Sequence, residues 1–80
     1  MILPTKHTTI EQSLLGFGAY ILRTMGDGVT IDDLWVQYQK DFANGDYNAK
    51  HSFDNLLLTI AFLFSIGAVD ENSGRIEKCN

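Results

Sequence analysis

The stretch FDNLLLTIAFLFSIG, from Phe53 to Gly67, constrains this chain more than any other segment. Only Asp54, Asn55, Thr59 and Ser65 interrupt its apolar side chains before Gly67. Ser52 supplies an N-cap hydroxyl just before it, and Gly67 suits the left-handed position just after a helix. The pattern therefore predicts a helix over 53–66. A surface helix normally keeps one apolar face and one wet face. This one is apolar nearly all round, so something must cover it on more than one side. A bilayer is not that cover, because the run falls short of the ~20 residues that span a membrane.

With Leu56 placed at the centre of the inner face, Leu63, Ile60, Phe53, Phe64, Leu57 and Ala61 spread to either side of it at 100° per residue. These are expected to fill the core against two preceding helices. Leu58, Phe62 and Ile66 are left over, spaced four apart on the far side and interleaved with Asn55 and Thr59. Burying each would contribute roughly 1.5 to 3 kcal/mol to a contact. We expect this second stripe to meet another protein. Ile2 and Leu3 are candidates to join that contact as a strand added to a partner's sheet edge. The competing expectation is that the stripe is covered from within, by the segment Ile2 to Pro4 or by the loop around Tyr47.

The rest of the chain frames this helix. Pro4 disfavours helix for Leu3, so residues 1–7 read as extended. Thr8 with Glu11 has capping-box spacing and predicts a first helix over 9–25. Its inner face carries Ile10, Leu14, Phe17, Gly18, Ile21, Leu22 and Met25. Gly18 costs a helix roughly 1 kcal/mol relative to Ala. Its place on the inner face is best explained by a close crossing with another helix. GDGV then breaks the chain, and Val29 is placed to pair as a very short strand. Thr30 caps a second helix, with Asp33 at the third position and Asp32 and Asp33 at the positive end of the dipole. Its inner face is Ile31, Leu34, Trp35, Tyr38 and Phe42. After the third helix, Ala68–Asp70 and Arg75–Lys78 flank ENSG, a turn by composition.

The order is helix, short strand, helix, helix, hairpin. It predicts a mostly helical α+β fold, a winged helix-turn-helix-like three-helix core with a C-terminal β-hairpin, as one domain over 1–80. Eighty residues at 45% hydrophobic support one modest core. The lone cysteine, Cys79, excludes an internal disulfide. With no apolar leader-like run in MILPTKH, a soluble protein of the cytoplasm is expected.

Composition and spacing argue against most chemistry. The net charge is −4, which suits phosphate poorly. A DNA-reading third helix presents Arg, Lys, Asn or Gln, whereas 53–66 has no basic residue and only Asn55 of that set. Lys50, Arg75 and Lys78 are the candidates for a weak nucleic-acid contact, and a nucleic-acid-binding winged-helix regulator is the alternative reading. A self-associating homodimer is a third. His7 and His51 have no ligand spacing with Asp46, Asp54 or Cys79. Asp27, Asp32 and Asp33 are explained by helix capping. GFG lies inside a helix and lacks the Lys and Ser or Thr of a phosphate loop. No catalytic residue, metal or cofactor is expected.

Four segments carry a resemblance. MILPTKH at the start, SLLGFGA in the first helix, LW in the second and SFDNLLLTIAFLFSIGAVDENSGRI through the third resemble the middle components of bacterial ABC-three-component systems, and among them the sixth class. The likeness spans nearly the whole chain, though none of these blocks is a catalytic motif. It implies partners: an ABC ATPase of the structural-maintenance (SMC) or Rad50-like type and an effector, often a nuclease, acting in antiviral and anti-plasmid defence. The middle component would be a non-enzymatic adaptor subunit.

Overall fold

The computed structural model describes residues 13–79. Three helices, α1 (Leu14–Thr24), α2 (Ile31–Ala43) and α3 (Phe53–Ser65), precede a hairpin of β1 (Val69–Asn72) and β2 (Arg75–Lys78). Among the described residues, no helix is long and apolar enough to cross a membrane.

Each helix begins at a hydroxyl that accepts an otherwise orphaned backbone N–H. Ser13 accepts from Gly16 N–H at 3.0 Å, and Ser52 from Asn55 N–H at 3.1 Å. Thr30 and Asp33 form the full reciprocal capping box, each side chain accepting the other's backbone N–H at 3.1 Å. That bond, chiefly the Thr30 backbone N–H and then the Thr30 hydroxyl, holds the Asp33 carboxyl below the usual carboxylate range. The start of α1 corrects the sequence expectation. Ser13 is extended (φ −86°, ψ 163°), so the helix opens at Leu14 and does not run unbroken from residue 9. Ser13 caps from a fully buried place at the core's edge. Thr8, Ile10 and Glu11 lie outside the described residues.

The hairpin is antiparallel, pairing Val69 with Lys78 and Asn72 with Arg75. Its turn is the two residues Ser73 (φ 55°) and Gly74 (φ 82°). Positive φ at both is what a tight I′ turn needs to match strand twist, and glycine adopts it without strain. β1 thus runs two residues further than the Ala68–Asp70 expected from composition. Val29 joins β2 by a single bridge, exchanging both backbone bonds with Ile76 at 3.1 and 2.7 Å. The helix, bridge, helix, helix, hairpin order matches the expectation.

The core is centred on Phe17, which is fully buried. His51 stacks on it with ring centroids 3.9 Å apart and planes at 1°. Tyr38 meets it edge-on at 5.4 Å, and Tyr47 stacks on Tyr20 at 4.3 Å. The buried tyrosines reach polar partners, as buried hydroxyls must. Tyr38 Oη donates to the Ala49 carbonyl at 2.8 Å and accepts His51 N–H at 2.6 Å. Tyr20 Oη donates to Asp41 Oδ2 at 2.5 Å. Burial, followed by that bond, raises the Tyr20 phenol well above its ordinary range. Tyr20 thereby ties α1 to α2, and Tyr38 ties α2 to the connection that leads into α3.

Candidate functional site

α3 decides which surface is available, and α1 decides how α3 lies. Gly18 has no side chain to hold the helices apart. A Cβ there would stand 3.2 Å from Leu63 Cδ2 and 3.7 Å from Thr59 Cγ2. The close crossing turns Leu56, Thr59, Ile60 and Leu63 inward, all buried. Thr59 is fully buried, and its hydroxyl donates to the Asn55 carbonyl at 2.6 Å, so no polar group is left unmet.

This orientation corrects the expected core. Phe53, Leu57, Phe64 and Ala61 stand outside it, the first three 38%, 40% and 38% exposed and Ala61 exposed as well. α2 lies against α3 far less closely than α1 does, and Trp35 of α2 meets Phe53 edge-to-face at 5.5 Å. Phe42 is likewise 40% exposed rather than inside α2's inner face. On the opposite flank of α3, Leu58 and Ile66 are 47% and 58% exposed. Phe62, between them in the same row, is half-buried and packs against the core cluster. Tyr47 is buried in the core cluster, stacked on Tyr20. Ile2 and Leu3 lie outside the described residues. α3 therefore presents two apolar flanks, separated by Asp54, Ala61 and Ser65.

The basic candidates do not share one lining. Arg75 Nη1 donates to the Gly28 carbonyl at 2.8 Å, which fixes the α1–α2 loop to the hairpin. Lys78 lines an open cleft of about 430 Å³ whose other lining residues include Asp27 and Glu77. Lys50 lines a different groove. The hairpin's outer strand exposes Asp70 and Glu71. The Asp70 carboxylate accepts Glu71 N–H at 2.8 Å, and Glu71 accepts Gly74 N–H at 2.6 Å. Carboxylates thus occupy backbone donors of β1 and its turn, where a wing that grips phosphate would carry cations.

The groove at Lys50 escaped sequence reasoning. It is an open depression of about 320 Å³ between α2 and the connection to α3, lined by Trp35, Tyr38, Gln39, Phe42, Lys50 and His51. Trp35 and Phe42 sit seven apart on the face of α2 that reads as core, and no pattern in the sequence says that α3 stops short of covering them.

A family model described as ABC-three component (ABC-3C) system Middle Component 6 matches residues 3–79. Neither the search of curated proteins nor that of solved structures found a match.

Proposed function

The chain belongs to the Middle Component 6 family of ABC-three component systems, and from that premise we propose that it is a non-enzymatic assembly subunit. On this reading it is a soluble cytoplasmic adaptor that binds an SMC- or Rad50-like ABC ATPase and joins it to an effector in antiviral or anti-plasmid defence. Its three-helix frame with a hairpin is used as a winged-helix-like platform for protein rather than for DNA.

One observation carries the proposal. Leu58 and Ile66 stay 47% and 58% exposed on a helix with no basic side chain. An apolar row of this kind gains free energy by meeting apolar protein surface and gains none in a polyanionic groove. Leu58 and Ile66 would form the contact, with Phe62 supporting them from its half-buried place. Ile2 and Leu3 remain proposed additions at a partner's sheet edge. The nucleic-acid reading, through Lys50, Arg75 and Lys78, is not favoured. Arg75 is engaged with Gly28, and the cleft that Lys78 lines also carries Asp27 and Glu77.

The experiment is co-purification with an ABC ATPase from the same ABC-three component system. The informative variants are Leu58→Asp and Ile66→Asp. Phe62→Asp is a poorer probe, because Phe62 also packs on the core. The wild type should be retained on the ATPase, and each variant should be lost while keeping its helical circular dichroism. Retention of both folded variants would sink the proposal, and a mass of two chains in solution without the ATPase would favour a homodimer across this flank.

A further inference from the structure

We propose that the aromatic groove between α2 and the connection to α3 is a second docking site, distinct from the Leu58–Ile66 flank. Its occupant is a peptide segment of a partner that places one bulky apolar side chain next to a carboxylate.

The geometry points to this class of ligand in three ways. First, the floor is rigid. Tyr38 is pinned by its bonds to Ala49 and His51, and His51 is clamped on Phe17. A floor that cannot collapse keeps the depression open and spares a ligand the cost of ordering it. Second, the walls are aromatic. Trp35 stacks on Tyr38 at 5.3 Å, and Phe42 lies 6.0 Å from Tyr38. Aromatic anchors of this sort dominate protein contact energies, and about 320 Å³ holds one or two side chains, not a whole folded surface. Third, Lys50 is the only charged group among the described residues of the lining. A lone cation at the edge of an apolar depression selects for a ligand carboxylate by complementarity. Phe53, exposed and in contact with Trp35, extends the same surface onto α3. A polynucleotide would also offer rings to stack and anions to pair, but the overall charge opposes a polyanion.

The test needs no identified partner. Trp35 is the only tryptophan, so its emission reports the groove directly. The full chain is titrated with the peptide Ac-Asp-Leu-Phe-Asp-amide, with its lysine counterpart Ac-Lys-Leu-Phe-Lys-amide, and with a short oligothymidylate. The acidic peptide should give a saturable emission change that the lysine peptide does not. Lys50→Glu should weaken it by about fivefold, the scale of losing and reversing one exposed ion pair. Phe42→Ala, at a side chain already 40% exposed, should weaken it without loss of helical signal. No emission change with the acidic peptide up to about 1 mM, at the weak end of specific binding, would overturn the proposal. So would an equal response to the lysine peptide, indifference to Lys50→Glu, or a stronger response to the oligothymidylate. The readout is independent of ATPase retention, so it stands or falls apart from the Leu58–Ile66 flank.

Discussion

Gly18 of α1 and Leu63 of α3 meet at the helix crossing, where a Cβ on residue 18 would stand 3.2 Å from Leu63 Cδ2. That separation is tighter than ordinary packing, yet the neighbour is the end of a side chain and not backbone. It links a single absent side chain in the first helix to the choice of face in the third, and hence to which apolar groups reach the surface.

Substitution at this crossing should separate two opposing effects. Gly18→Ala adds helix propensity worth about 1 kcal/mol and crowds Leu63, which is 2% exposed with little room to retreat. We expect the two to cancel to within about 1 kcal/mol. Gly18→Val adds bulk toward both Leu63 and Thr59, and should destabilise by about 2 to 3 kcal/mol in urea unfolding. A neutral Gly18→Val would mean that α3 does not depend on this close approach.

Tyr38 makes a second, sharper prediction. Its hydroxyl serves the Ala49 carbonyl and the His51 amide at once, both buried. Tyr38→Phe keeps the ring and removes the bond that the hydroxyl makes to each of these two backbone groups. Losing such bonds at buried groups costs about 1 to 3 kcal/mol each, so unfolding should be destabilised by about 2 kcal/mol or more. Because Tyr38 also floors the groove, the same variant should alter Trp35 emission. A stability unchanged within error would indicate that water restores both bonds.

The Tyr20–Asp41 bond predicts a dependence on alkaline pH. The folded-state pKa of Tyr20 is raised, first by burial and then by the Asp41 carboxylate. The folded chain therefore holds this proton more tightly than the unfolded one. The contribution is fully present below the unfolded tyrosine pKa of about 10 and is lost as pH rises beyond it. Urea midpoints taken from pH 7 to 11 should fall above about pH 10 in the wild type and fall less in Tyr20→Phe. At neutral pH, Tyr20→Phe should lose about 1.5 kcal/mol, the low end for a bond to a charged acceptor, because Asp41 is only half-buried. Parallel alkaline profiles for the two proteins would rule Tyr20 out as the cause.

Local chemistry was legible in the sequence wherever it is decided within a few residues. The capping box of Thr30 and Asp33, the Ser52 cap, the positive φ at Gly67 after α3 and the turn at Ser73–Gly74 follow from side chains that bond or bend their own backbone. The short pairing at Val29 and the need for a helix to approach Gly18 were readable as well. An apolar excess on the third helix was plain from composition alone.

What the sequence could not determine is which face of that helix turns inward. Apolar groups on nearly every side leave no periodic signal to orient it, so the decision falls to its neighbours. Gly18 offers a gap that Thr59 and Leu63 fill, and α2 packs far less closely on α3 than α1 does. Thr59 therefore goes in while Phe53, Leu57 and Phe64 stay out, against their hydropathy. Likewise, nothing local to the sequence marks Ser13 as a cap, and it is its buried place at the core's edge that accompanies the start of α1 there. The sequence alone determined that this small protein has more apolar surface than one core can hide. The tertiary structure decided where the surplus emerges, because close packing satisfies the tightest contact first and leaves the remainder to solvent.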